Sequence, residues 1–483
     1  MMKIFKFRNL ILLCAVLFLA ACDNDDDAPT NGTISLTPQA AQYDGLRGTD
    51  VTVTVTAAAE DGILTVKAKP EIGDEEDFTI PADATTFEAT YTFSIPGNAA
   101  LNTSYNVTFE LVDKNNQTTS QDVSVNASVK AIDTTPSTYD FTRNGSTTVS
   151  YSGQIERLNM VAEIKAYLQG GDAGNAVSAQ VLKDAYNNVG DNGNGFFSFT
   201  STKQLGDKTF QPDLDNRLME SLFEAAEAAS QTGVTASSGQ AGLITRENKG
   251  STVLVDENGR EFTQFVEKGL MGTVMYNQIF NTYFTDGRIG NDVENTALRD
   301  GKNYTDMEHH WDEAFGYFNP PVDFTTPWPD AREPELVYWA NYSNVVDPFL
   351  NTNGAVMEAF IEGRTAIVNN DFDTRDAQRD ILFEQLELVT AATAVHYINQ
   401  TLGHLNDGNT GEAFHSLSEA WAFVNAIKYS PRRKLDLAAI DTINETDFGE
   451  NGNFWNVTVA GLNKAKSTLV STYPEMDPVK DSL

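Results

Sequence analysis

The 483-residue chain carries 33 basic against 68 acidic side chains, a formal net charge of -35, with five histidines and two cysteines. That charge excludes nucleic acid and an anionic membrane surface as electrostatic partners and leaves cations, basic partners or plain solubility. The length allows two or three domains, each able to bury a core.

Residues 1–22 open with Lys3, Lys6 and Arg8, followed by the apolar run "LILLCAVLFLAA". This is the pattern of a secretory signal, too short to span a membrane. "LAAC", ending in Cys22, resembles a bacterial lipobox, in which cleavage precedes a cysteine that becomes acylated. Three acyl chains exceed what marginal membrane binding needs, so a stable lipid anchor is expected. Cys14 would leave with the signal and Cys22 would carry lipid, which removes disulfides and thiolate metal sites from the mature chain. Loss of the three signal cations makes the mature chain more acidic still. Residues 23–32, "DNDDDAPTNG", read as a charged tether. Such an acidic stretch resembles the signal that sends lipoproteins to the outer face of the outer membrane, so a cell-surface location is expected.

Residues 33–131 show period-two alternation. "DVTVTVTA" places Val51, Val53 and Val55 on one face; "TTFEATYTFSI" and "SYNVTFELV" repeat the pattern. Six or seven such runs separated by turn residues predict an immunoglobulin-like sandwich without its cysteine and tryptophan hallmarks. Nothing in it carries chemistry, and it reads as a spacer or protein-binding module.

After a Ser/Thr-rich linker at 132–152 the period changes to helical. "SGQIERLNMVAEIKAYLQGG", with Ser152 as the expected cap, starts a mostly α domain over 153–483. Further helical runs include "REFTQFVEKGLMGTVMYNQIFNTYF", "MEHHWDEAFGYF", "GAVMEAFIEGRTAIVNN", the long "DTRDAQRDILFEQLELVTAATAVHYINQTLGHLNDG" and "TGEAFHSLSEAWAFVNAIKYS". Between them, "FNPPVDFTTPWPDAREPELVYWANYSN" is proline-broken, and a long connector packing Trp328, Trp339 and Tyr342 is expected. The basic "SPRRK" at 430–434 fits a helix C-terminus.

The helical part repeats itself. "HHWDEAFGYF" from His309 aligns without gaps on "HSLSEAWAFV" from His415, bringing His309 onto His415 and Glu313 onto Glu419. Upstream, "GTVMYNQ" from Gly272 matches "TAVHYIN" from Thr393, in the same order. A duplicated helix pair accounts for both matches. His309/Glu313 and His415/Glu419 are four apart, so each pair lies on one helix face; His310/Glu313 are three apart. Imidazole with carboxylate suits iron, zinc or manganese, and helical bundles build such sites on facing helices. If the repeats pack about a pseudo-twofold axis the two faces converge, and His396 adds a ligand. The alternative is a hydrogen-bonded polar seam. No HExxH, nucleophile elbow or thiol is present, so the usual hydrolase signatures are missing.

The lipobox, the duplicated α domain and the H-x-x-E element His310, Trp311, Asp312, Glu313 together resemble the imelysin-like proteins, above all a branch found on bacterial surface lipoproteins. "SYSGQIERLNM", "MEHHWDEAFGYF" and "VHYIN" carry the resemblance, which covers about Tyr139 to Leu483. It implies paired four-helix bundles with a G-x-H-x-x-E motif near their junction, in a family connected with iron uptake and classed with peptidases. The motif's His and Glu fall on His310 and Glu313; its glycine position holds Glu308, a departure that adds a carboxylate or marks a changed role. The expected function is a lipoprotein that binds iron, zinc or an iron-bearing compound and passes it to an outer-membrane protein partner. A metallopeptidase, with His310 and Glu313 among its ligands, and an adhesion or scaffolding protein without a metal are the alternatives.

Overall fold

The structure, a computed structural model, describes residues 31–483 apart from 98 and 101. The signal with Cys22, and the tether up to residue 30, therefore lie outside the described residues. An N-terminal β region is followed by a helical domain, as the change of period predicts.

The β region contains β1 (Ile34–Pro38), β2 (Gln42–Leu46), β3 (Asp50–Ala59), β4 (Ile63–Pro70), the two-residue β5 (Glu76–Asp77), β6 (Thr86–Ser94), β7 (Ser104–Asp113) and β8 (Thr118–Val129). One sheet has the order β1-β3-β6 and the other β2-β8-β7-β4-β5, the two-sheet arrangement of an immunoglobulin-like sandwich. Val53, Val55 and Ala57 of β3 are fully buried, as are Val107, Phe109 and Leu111 of β7, while the intervening threonines and polar residues stay nearer solvent. The alternation in sequence is thus the alternation in burial. By compactness the chain forms two units: one holds Thr52–Tyr91 and Asn106–Ser124, while Gln42–Val51, Thr92–Tyr105 and Val125–Leu483 group in the other.

The second unit begins its irregular part with the small ribbon β9 (Thr142–Arg143) and β10 (Ser146–Thr147). Helices α1 (Ser152–Asp172), α2 (Ala179–Tyr186) and α3 (Pro212–Ser230) follow. Ser152 lies inside α1 rather than capping it; the cap position is Tyr151, without a side-chain bond, and the helix runs past the glycine pair to Asp172. An antiparallel hairpin, β11 (Gly242–Arg246) and β12 (Ser251–Val255), sits within the otherwise helical unit. Its strands "GLITR" and "STVLV" are too short to register against the surrounding helical pattern.

Next comes α4 (Phe262–Leu270), which continues through π-helical turns at Met271–Tyr276 and Ile279–Tyr283, then α5 (Asp286–Ile289) and α6 (Asp306–Phe318). Helices α7 (Tyr338–Leu350), α8 (Thr352–Val368), α9 (Phe372–Asn406), α10 (Thr410–Ala426), α11 (Leu437–Thr442) and α12 (Val459–Thr472) complete the chain. The expected connector is shorter than its sequence suggests: helix resumes at Tyr338, after Pro334, so Trp339 and Tyr342 are helical core residues and only Trp328 packs from the loop. Asn319 and Asn351 end α6 and α7 in the left-handed conformation that asparagine tolerates.

Helix α9 is the axis of the unit. Its 35 residues span about 52 Å at 1.5 Å per residue, and α7, α8, α10 and α12 all pack on it. Residues Leu386 to Val395 are buried on every side, which is why this stretch reads as Leu, Val, Ala and Thr interrupted only by Glu387, whose carboxylate accepts from the Tyr473 hydroxyl at 2.8 Å and the Lys434 N–H at 2.6 Å. Thr390 and Thr393 satisfy their hydroxyls on the carbonyls of Leu386 and Val389. Helix α4 packs on α1 and α10, and its π-helical end meets α6.

Candidate functional site

The two His/Glu faces recur in geometry as well as in sequence. In each, the histidine Nε2 lies 3.8 Å from the carboxylate one turn on: His309 with Glu313, His415 with Glu419. Each pair follows a long helix, α4 with its π-helical extension before α6, and α9 before α10.

At the α6 face, His309 Nδ1 is 2.9 Å from the Ser150 carbonyl. A carbonyl only accepts, so Nδ1 carries the proton and Nε2 presents its lone pair toward Glu313. Tyr304 stacks on the imidazole at 4.7 Å. Burial holds His309 below its usual pKa, against the pull of Glu313. Glu313 accepts from Gln154 Nε2 at 3.0 Å and from the Tyr283 hydroxyl at 3.2 Å. Tyr283 comes from the second π-helical turn, and the widened turn is what brings it to this face.

His310 faces elsewhere. Its Nδ1 donates to the Arg288 carbonyl at 2.9 Å, and its Nε2 meets the Arg288 guanidinium at 3.3 Å. Both ring nitrogens are committed, and a cation stands where a metal would have to bind. Glu308 is also occupied. It closes a capping box with Thr305 at the start of α6 and pairs with Arg143 at 2.8 Å and Arg364 at 3.1 Å. Against the burial that would raise it, Arg364, Arg143 and the Thr305 N–H hold its carboxyl below the usual range. The extra carboxylate at the motif's glycine position is therefore a helix cap and ion-pair partner.

The α10 face is more strongly charged. His415 Nδ1 lies 2.6 Å from Glu261 Oε2, and Glu261 and Glu419 hold the ring above its usual pKa despite burial. Glu419 pairs with Lys268 at 3.2 Å; Lys268 also bonds Glu267, which bonds Lys165 at 2.8 Å. Lys268 is 4 % exposed, and burial alone would strip its proton; Glu267 and Glu419 instead hold its pKa well above the ordinary value. This chain of alternating charge joins α1, α4 and α10. His396 lies on α9, its Nε2 2.7 Å from the Gln400 side-chain nitrogen, and burial lowers its pKa.

The expected convergence does not occur. Among the described residues the α6 and α10 faces have no hydrogen-bond, ion-pair or ring partner in common, and no group of three or more His, Cys, Asp or Glu side chains is disposed to hold a metal ion. Of the predicted donors, His309 with Glu313 and His415 with Glu419 are each brought together; His310, Glu308 and His396 are directed to other partners. Sequence reasoning missed Tyr283, Gln154, Glu261 and Lys268, because they arrive from α1 and from α4 with its π-helical extension, far along the chain from the histidines they meet.

Asp172, at the end of α1, ties these elements together by accepting from Leu254 N at 2.8 Å and the Thr263 hydroxyl at 2.7 Å. Burial, then the nearby Glu261, pushes its pKa up to about 7. A carboxyl raised on folding stabilises below its unfolded pKa, and that stabilisation is lost as pH rises through the folded value. Asp172→Asn keeps an acceptor and cannot ionise. Its melting temperature relative to wild type is expected to rise from pH 5 to pH 8, by an amount worth about 2–3 kcal/mol. A difference that stays flat between those pH values would show that Asp172 is ionised throughout.

Residues 136–473 match the family described as Domain of unknown function (DUF4856), and the chain belongs to that family. None of the curated proteins compared with the chain matches it. Among the described residues no helix is long and apolar enough to cross a membrane.

Proposed function

We propose that this protein is a surface lipoprotein, anchored through acylated Cys22 in the outer membrane, whose helical domain binds a metal ion, iron or zinc, or a small iron-bearing ligand as part of uptake. The observation that carries the reading is the orientation of His309. Its Nδ1–H is tied to a backbone carbonyl, the arrangement that orients metal-binding histidines, and its Nε2 faces a carboxylate oxygen 3.8 Å away. The Tyr283 hydroxyl, which accepts from Gln154 Nε2 at 3.1 Å and donates to Glu313 Oε1 at 3.2 Å, holds that carboxylate in place. The α10 face is the poorer of the two, because Lys268 already neutralises Glu419. The imelysin-like resemblance points to the same helix through its H-x-x-E element, with His309 taking the part that the motif gives to His310. The acidic balance of the chain favours a cationic cargo. When bound, the metal supplies charge and coordination; His309 and Glu313 position it, and Gln154 orients Glu313.

Elemental analysis of the full-length protein, exposed to Fe2+ or Zn2+ and desalted, is expected to give about one metal per chain. His309→Ala and Glu313→Ala lose it; His310→Ala keeps it, because Arg288 already engages that ring. Gln154→Ala weakens binding about 10- to 100-fold. No metal in the wild type would end the metal reading and leave the pair as a hydrogen-bonded seam. Metal-dependent peptide turnover abolished by chelation would replace uptake with the peptidase alternative. Cys22→Ser is expected to move the protein out of the membrane fraction, which tests the anchor separately.

A further inference from the structure

A cavity of about 390 Å³ opens between α3, α4 and α10, and none of the residues that line it is proposed to hold a metal. Its apolar wall is Leu218, Met219 and Leu222 from α3, Phe262 and Phe265 from α4, and Trp421 from α10. Phe265 and Trp421 are stacked, centroids 4.6 Å apart and planes 25° from parallel. Gly269 of α4 keeps the space open: a Cβ there would meet nothing nearer than Met219 Cε at 3.7 Å. Leu218 is 53 % exposed, an apolar side chain left facing solvent beside the opening. The volume, and apolar walls with a few polar groups, are those of small-molecule sites.

The charges on the lining decide which molecule fits. They are three carboxylates, Asp215, Asp256 and Glu257, and two cations, Arg260 and Lys428. Asp256 pairs with Arg260 at 2.6 Å. Asp215 accepts from the Thr273 hydroxyl and the Gln211 N–H, both at 2.8 Å. Burial lowers the pKa of Lys428, and the charge of Asp215 pulls against it, so these two groups act on each other. Glu257, in the turn before α4, is exposed, and water screens its charge. The fixed charges are therefore matched within the protein or exposed to water, and none is left for a bound ion to neutralise. An ion of either sign would give up hydration in the cavity without gaining a partner, whereas a neutral apolar body is driven in by the area it buries. Ser221 and Asn425, also on the lining, supply uncharged hydrogen-bonding groups.

We propose that this cavity is a binding site for a small, neutral, planar apolar molecule, an aromatic compound bearing at most an uncharged polar group such as a hydroxyl, laid against Phe265 and Trp421. The site goes beyond the metal reading and shares no residue with it, so either can fail alone.

The test uses the whole protein, without added metal, and three probes of one shape, 2-naphthylmethanol, 2-naphthoate and 2-naphthylmethylammonium, followed by equilibrium dialysis. The alcohol is expected to bind saturably with about one site per chain, at least about tenfold more tightly than either ion, because only the ions lose hydration without compensation. Gly269→Leu fills the cavity from α4, at a position where a Cβ fits and where leucine favours helix over glycine. It is expected to abolish binding while leaving the far-ultraviolet circular dichroism unchanged and the melting temperature at or above wild type. Leu218→Asn, at an exposed position that the fold does not depend on, is expected to weaken binding of the alcohol about 3- to 10-fold by removing apolar contact. Either ion binding as tightly as the alcohol, alcohol binding unchanged in Gly269→Leu or in Leu218→Asn, or no saturable binding of the alcohol to the folded wild type would each overturn the proposal.

Discussion

Replacing Arg364 with methionine is expected to cost about 3–5 kcal/mol of stability, the largest effect of any single substitution considered, because it leaves buried acids without their cation. Arg364, on α8, is fully buried. It donates from Nε to Asp312 at 2.9 Å, from Nη1 to Glu308 at 3.1 Å and from Nη2 to the Thr148 hydroxyl at 3.1 Å, with its guanidinium 5.0 Å over the Phe141 ring. Asp312 also accepts from the Tyr139 hydroxyl at 2.7 Å and the Ser150 N–H at 3.1 Å, and burial pushes its carboxyl up to about 6 even with Arg364 beside it. Without the arginine Asp312 will fold only protonated. The loss should therefore be smaller at pH 5 than at pH 8, and Arg364→Met/Asp312→Asn should recover part of it. Urea denaturation at both pH values measures this; a cost below about 1 kcal/mol at pH 8 would mean that water reaches Asp312 and replaces the guanidinium. Because the Ser150 carbonyl also accepts from His309, the same variant should loosen the His309 ring.

Gly363→Ala is expected to be the next most damaging change, about 2–4 kcal/mol, although alanine favours helix at most positions. A Cβ at residue 363 would lie 2.1 Å from Trp311 Cζ2 and 2.5 Å from Cη2. Trp311 cannot give way. It is fully buried, donates from Nε1 to the Phe360 carbonyl at 3.0 Å, and packs on Phe284 at 5.0 Å. The methyl group must therefore displace the indole or separate α6 from α8, with overpacking and a lost buried hydrogen bond as the cost. Trp311→Phe removes the atoms that clash, so the double variant should be less destabilised than the sum of the singles. Thermal melts of the four proteins form the cycle, and strict additivity would show that the helices simply move apart.

Both predictions concern the seam beneath the His309–Glu313 face, and they explain why "EHHWDEAF" has the residues it has. Over one stretch of α6, Glu308 caps the helix, His310 and Asp312 lock it to neighbouring segments, Trp311 fills the space over Gly363, and only His309 with Glu313 remains as a face of paired lone pairs. A motif that reads as one metal-binding unit is divided between holding the helix and the single His/Glu face that we propose as a site.

The sequence by itself determined the two-part architecture. Alternation in "DVTVTVTA" and helical spacing in "TGEAFHSLSEAWAFV" are local consequences of which face each residue buries, and they need no knowledge of the partner element. It also determined that His309/Glu313 and His415/Glu419 would each share a face, because four residues are about one turn of helix. Tertiary structure alone decided what those faces meet. Ser150, Gln154 and Tyr283 reach His309 and Glu313 from segments up to 159 residues away in the chain, and Glu261 reaches His415 across 154. Such contacts depend on helix packing, on the π-helical turns that re-aim Tyr283, and on which charges burial forces to pair, none of which leaves a periodic mark on the chain. The repeat could therefore be read while the separation of its two halves could not: side-chain spacing is a property of one helix, and convergence is a property of several.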